Sequence, residues 1–164
     1  MRLPEDAVAR LLERWPVGRL AVTRAGRAPL VLPVVFASAA GALWSPIDGK
    51  PKSGAAPARL AALRAAPAAS LLLDHYDADW RRLWWLRVEG EASVLAARPD
   101  RLPALAEVVA ALRRKYPQYA STPLFAGDPT LLRIAPQRLV SWCAGEEALA
   151  AARAAAGPGG PEGS

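Results

Sequence analysis

At 164 residues the chain fits one domain and leaves no room for two full ones, since a single core serves about 100 to 200 residues. Apolar residues at 52% and charged residues at 22% exclude wholesale disorder, and Arg, Pro or Gly interrupts every apolar run short of the roughly 18 residues that a membrane span needs. The net charge of +6 comes from 21 Lys and Arg against 15 Asp and Glu, but the arginines are scattered and no dense basic helix forms, so solvated arginines or a small anionic ligand account for it as well as nucleic acid does.

The opening Met1-Arg2-Leu3-Pro4-Glu5-Asp6 has no apolar core of the secretory kind, which gives the expectation of a cytoplasmic protein. Residues Pro4 to Trp15 read as a helix, with Glu5 and Asp6 in the first turn and Ala7, Val8, Leu11, Leu12 and Trp15 on one face. Pro16-Val17-Gly18 stops it. Gly18 to Phe36 then alternates with period two around a turn at Arg24-Ala25-Gly26-Arg27, which predicts a hairpin. A turn at Ala39-Ala40-Gly41 leads to a strand over Ala42 to Ile47, placing three strands in meander order. Asp48 to Pro57 reads as a charged loop and Ala58 to Ala66 as a helix ended by Pro67. Strands follow at Ser70 to Tyr76 and Leu83 to Leu95, separated by an Asp77-Ala78-Asp79 turn, with a bend or bulge at Gly90. Pro103 to Tyr116 is a second amphipathic helix, its basic end at Arg113, Arg114 and Lys115. Leu131 to Ala135 and Leu139 to Trp142 are two closing strands. Residues 1–144 are thus expected to form the domain and residues 145–164, rich in Ala, Gly and Pro, a frayed helix and disordered tail. About six antiparallel strands with outer helices predict a mainly β protein, a small barrel; turns this short exclude a parallel nucleotide-binding sheet.

Chemistry-bearing residues are few. One cysteine, Cys143, and one histidine, His75, leave no disulfide framework and too few soft ligands for a common zinc site, so no metal is expected. No catalytic residue stands out; His75 reads as structural or a partner contact, and the aspartates around it as turn formers. Lys50-Pro51-Lys52 is more specific. Two of the chain's three lysines stand on either side of a stiffening proline, a pattern suited to gripping phosphate, against the plain alternative of a solvated basic loop. Trp84 and Trp85, adjacent in a strand, place one indole on each face of the sheet, one for the core and one for a cleft or a neighbouring subunit.

Four segments carry a resemblance: Val17-Gly18-Arg19-Leu20-Ala21-Val22, Leu32-Pro33-Val34-Val35-Phe36, Ile47-Asp48-Gly49-Lys50-Pro51-Lys52, and Ser70 through Asp74-His75-Tyr76-Asp77 into Trp84-Trp85-Leu86-Arg87. In this order the chain resembles the pyridoxamine 5'-phosphate oxidase-like superfamily of flavin-binding split β-barrels, and in particular its deazaflavin (coenzyme F420) branch, over roughly residues 5 to 142. The resemblance implies a six-stranded split barrel and a homodimer with two cofactor sites at the subunit interface. It implies that Lys50 and Lys52 hold the cofactor phosphate, that Ser45, Ile47, Pro33 and Val34 line the ring pocket, that Arg59 helps neutralise charge, and that Trp84 or Trp85 and Tyr76 sit near the interface. Ser53-Gly54-Ala55-Ala56-Pro57 stands where this branch continues with basic residues, and the basic second-strand pattern of true pyridoxamine phosphate oxidases is absent, which sets vitamin B6 oxidation aside. The implied activity is hydride transfer between F420 and a small conjugated substrate; the alternatives are an FMN-binding oxidoreductase on the same barrel and a non-catalytic flavin or haem binder. Neither nucleic acid nor membrane is an expected partner.

Overall fold

The computed structural model describes residues 1–47, 58–125 and 129–155, with backbone alone at 58–60 and 65. Helix α1 (Glu5–Arg14) starts where Pro4 takes the cap position, with acids in its first turn and Arg14 in its last, so its charges complement the helix dipole. Ala7 and Leu11, one turn apart, are its fully buried residues. Strands β1 (Gly18–Arg24) and β2 (Arg27–Val34) form the expected hairpin, closed through Gly26 at φ 65°. A second, tighter hairpin joins β3 (Ala37–Ala39) to β4 (Ala42–Pro46) through Ala40 and Gly41, both at positive φ, as a two-residue primed turn requires.

Helix α2 (Ala58–Ala65) leads into β5 (Ala68–His75), β6 (Trp84–Ala96), α3 (Leu105–Lys115), β7 (Thr130–Cys143) and α4 (Glu146–Arg153). The seven strands form one antiparallel sheet in the order β2-β1-β5-β6-β7-β4-β3. Three expectations are corrected by it. The strand count is seven among the described residues, because the short β3 pairs with β4. The third strand of the expected meander, Ala42 to Ile47, does not lie beside β2: β4 pairs with β7 at the far side of the sheet, where Leu43 and Ser45 sit opposite Ile134 and Leu132. The two closing strands are one. Opposite β6 the register slips between Glu89 and Gly90, absorbing Gln137 as a bulge, so Pro136 does not end the strand. Gly90 is required there, since a Cβ would strike the Ala135 carbonyl.

Two cores result. The main one joins α1, α4 and the inner faces of β1, β5 and β6, through Leu11, Leu20, Leu71, Leu86 and Trp84. The second packs α3 on β3 and β4, through Val108, Leu112 and Tyr116 against Ala37 and Trp44. Part of the segment expected as a tail is ordered: in α4, Ala148, Leu149 and Ala152 are buried in the main core and Arg153 pairs with Asp6 of α1 at 2.7 Å.

Candidate functional site

The β2 and β4 segments, far apart in sheet order, converge around one cleft. Pro33, Val34 and Val35 line it from the end of β2, Ser45 and Pro46 from β4, and Tyr119 and Leu124 from the segment after α3, around a volume of about 370 Å³. Ser45 is 6% exposed and brings a buried hydroxyl to a wall of mixed character, where prolines and valines alternate with the hydroxyl-bearing Tyr119 and Thr122. Of the sequence-predicted ring-pocket residues, Pro33, Val34 and Ser45 are brought together here. Ile47 is instead packed in the main core, its N–H donating to the Thr130 carbonyl at 3.0 Å.

Tyr116 positions this region, and it was not singled out in the sequence. Its buried hydroxyl accepts from the Phe36 N–H at 2.8 Å and faces the carbonyls of Phe36 and Pro16, each at 2.9 Å. That one oxygen ties the end of α3 to the crossing from β2 to β3 and to the chain entering β1. Burial pushes the phenol well above its usual pKa, so it stays protonated. The residues 119–124 on the cleft were also missed; the pair of tyrosines in Tyr116-Pro117-Gln118-Tyr119, just past a helix end, was the signal available.

Lys50, Pro51 and Lys52 lie outside the described residues, so the lysine loop that ranked first in the sequence has no place in this geometry. Arg59 belongs to the first turn of α2, described by its backbone alone.

Trp84 and Trp85 do stand on opposite faces. Trp84 is 2% exposed in the main core, edge-on to Trp15 at 4.7 Å and stacked on His75 at 6.1 Å. Trp85 faces outward beside its cross-strand neighbour Trp142, with the Arg87 guanidinium 5.8 Å from its ring. Trp85 and Trp142, with His75 and Tyr76, line a second, more apolar cleft of about 480 Å³ along β5, β6 and β7, which the buried Trp84 also borders. Tyr76 is 81% exposed and Trp142 40%. His75 Nε2 is buried without a hydrogen bond, 3.5 Å from Asp77 Oδ2. Asp77 accepts the Asp79 N–H and Asp79 the Arg81 N–H, the turn chemistry expected of them. The Asp79 amide, helped by Arg82 and His75, holds the Asp77 carboxyl below its usual range. Cys143 is buried in the main core, where burial pushes its thiol up.

No family model matches the chain, and no curated protein is similar to it in sequence. Solved structures are similar in fold. A FAD-binding protein from Mesorhizobium loti matches over 86% of this chain and 95% of its own, with a TM-score of 0.61 at 19% identity. The haem storage protein of Vibrio cholerae matches over 85% and 94%, with a TM-score of 0.63 at 21% identity. A protein named F420 reductase matches over 84% and 98%, with a TM-score of 0.57 at 21% identity. The fold is similar to that of pyridoxamine 5'-phosphate oxidase-like proteins, one from Listeria innocua matching over 84% of this chain and 96% of its own, with a TM-score of 0.56 at 19% identity. The sheet is open, with β2 and β3 as its edges, and the cleft is lined from the end of β2 and from β4. No helix among the described residues is long and apolar enough to cross a membrane.

Proposed function

We propose that the protein is an oxidoreductase that binds a flavin-type tricyclic cofactor in the β2–β4 cleft, with deazaflavin F420 favoured over FMN, and reduces a small, flat, conjugated substrate. The observation that carries this reading is the convergence of Pro33, Val34 and Ser45 from distant strands on one cleft. Its volume, about 370 Å³, is in the range of small-molecule sites, and its lining of prolines, aliphatic groups and a few hydroxyls suits a flat ring with polar edges. The bound cofactor supplies the hydride chemistry. The chain's own part is to grip, orient and keep dry. Pro33 and Val34 offer rigid apolar contact to a ring face, and Ser45 offers a hydroxyl to a ring edge. Lys50 and Lys52 hold the cofactor phosphate, Pro51 lowering the entropy lost on binding, and Arg59 adds charge at the start of α2. Hydride transfer needs no protein acid–base pair, in keeping with a cleft whose side chains carry hydroxyls as their polar groups.

The same reading makes the protein a homodimer. The outer face with Trp85, Trp142 and Tyr76 exposes large aromatic side chains, and exposed apolar patches mark association sites. The similarity to a haem storage protein favours one second reading, a carrier that binds cofactor without turnover.

Titration of dialysed protein with F420 and with FMN, followed by intrinsic tryptophan fluorescence, tests the reading. F420 binding with turnover of quinones or enones supports it; FMN binding with turnover changes the cofactor; binding without turnover means the carrier role; binding of neither ends it.

A further inference from the structure

Lys115 is the one lysine outside the Lys50-Pro51-Lys52 loop, and the cofactor reading makes no use of it. It closes α3, and its Nζ reaches across to α1, donating to the Leu12 carbonyl at 3.0 Å and lying 3.4 Å from the centre of the Phe36 ring. No carboxylate among the described residues closes an ion pair with it; Glu13 attracts it only at longer range. A cavity of about 190 Å³ opens beside it, between the C-terminal ends of α1 and α3 and the edge of β3. Glu13 and Arg14 line it from α1, Ser38 from β3, and Arg114 with Lys115 from α3. Like Lys115, Arg14 and Arg114 form no ion pair with a carboxylate among the described residues. Three basic side chains therefore share a small hollow with one acid.

We propose that this hollow is a carbon dioxide site, in which the Lys115 amine adds CO2 to form a carbamate flanked by Arg14, Arg114 and Ser38. In the step, the Nζ lone pair forms an N–C bond with the carbon of CO2. One C=O π pair moves onto oxygen, and Nζ loses one proton to water, giving a neutral N–H and one carboxylate. No oxidant or reductant is needed. The remaining N–H still has the Leu12 carbonyl as its acceptor.

Two features select CO2 over other electrophiles, and the hollow, at about 190 Å³, has ample room for it. Product charge matters: an imine from an aldehyde or an amide from an acyl donor gains nothing from two guanidiniums, whereas a carbamate brings an anion to them. The amine must also be free of its proton. Burial lowers its pKa from the ordinary 10.5 to about 7, against the attraction of Glu13, so near neutrality a large share is nucleophilic. The charged groups lining the hollow with it are Glu13 and Arg14 from α1 and Arg114 from α3; β3 contributes the uncharged Ser38, and the Tyr116 phenol is occupied with backbone.

The test uses the full chain in mildly alkaline buffer with isotopically labelled bicarbonate, trapping carbamates with triethyloxonium and locating the ethyl carbamate by peptide mass spectrometry. The expected result is label on Lys115 well above that on Lys50 and Lys52, lost in Lys115→Arg and reduced several-fold in the Arg14→Ala/Arg114→Ala double variant, which keeps the lysine should Lys115→Arg not fold. No label on Lys115, label no greater than on Lys50 and Lys52, or label unaffected by loss of both arginines overturns the proposal. None of these outcomes depends on the cofactor cleft.

Discussion

Replacing Tyr116 by Phe removes one oxygen and leaves the ring packed against Trp44 and Val108 in the second core, so the loss isolates the hydroxyl. That oxygen accepts the Phe36 N–H at 2.8 Å and has one proton to give to two carbonyls, those of Phe36 and Pro16, each at 2.9 Å. Two hydrogen bonds are therefore lost, each contributing about 1 kcal/mol, and the Phe36 N–H is left buried without a partner, at a desolvation cost of about 1 to 3 kcal/mol that overlaps the first. The expected net destabilisation is about 2 to 3 kcal/mol, which for a chain of this size lowers the melting temperature by about 4 to 12 °C. Differential scanning calorimetry reads this directly. The freed crossing from β2 to β3 carries Val34 and Val35 of the cleft, so cofactor affinity falls in the same variant. An unchanged melting temperature would refute the claim that this one hydroxyl ties the end of α3 to the crossing from β2 to β3.

Lys50→Ala and Lys52→Ala are each expected to cost about 1 to 3 kcal/mol of cofactor binding with melting unchanged; titration calorimetry showing full affinity would move the phosphate site elsewhere. Trp85→Glu places a charge in the outer aromatic cleft and is expected to turn the proposed dimer into monomers in sedimentation velocity without loss of fold, whereas Trp84→Ala, in the core, costs about 3 to 5 kcal/mol of stability. Gly90→Ala drives a Cβ into the Ala135 carbonyl and is expected to cost about 1 to 3 kcal/mol in urea unfolding; equal stability would mean the bulge is not needed. Because burial lowers the Lys115 pKa from 10.5 to about 7, the unfolded chain binds more protons between those two values, so this residue makes stability rise with pH from about 7 to 10.5. Lys115→Met in CO2-free buffer is expected to flatten that rise.

What the sequence made legible was local. The acidic first turn of α1, the Gly26 turn, the Asp77 turn and the two faces of Trp84 and Trp85 follow from neighbours within a few residues, and each is found. Pairing across the sheet was not legible. β4 joins β7 instead of β2 because Leu43 and Ile47 have to bury with Ile134 and Leu132 in the main core, a choice made by residues about ninety positions away. Pro136 read as a break because proline cannot serve a central ladder, yet the glycine opposite it, Gly90, lets the strand continue past the bulge. Residues 146–153 read as a frayed helix from alanine content, but small side chains are what allow Ala148 and Ala152 to pack closely against the α1 layer. In the site, Pro33, Val34 and Ser45 were named through resemblance and do meet; Tyr119 and Leu124 come from a segment without regular pattern, which no periodicity marks.

The position of the cleft follows from the sheet being open. An open sheet ends in two strands with unpaired backbone groups, a standing invitation to edge-to-edge association. Here both ends are blunted: β2 carries Pro29 and Pro33, which offer no N–H, and β3 is only three residues long. Growth by strand addition is therefore disfavoured at either edge, while the outer face of β5, β6 and β7 keeps Trp142 and its neighbours exposed. On the proposed reading, subunits associate through that face and the cleft between Pro33 and Ser45 stays free for a flat ligand. A variant that restored an edge donor, Pro33→Val, separates the two effects: it is expected to promote higher oligomers in sedimentation while leaving the Trp85-dependent dimer intact, and higher oligomers that instead vanish with Trp85→Glu would show that the face alone governs association.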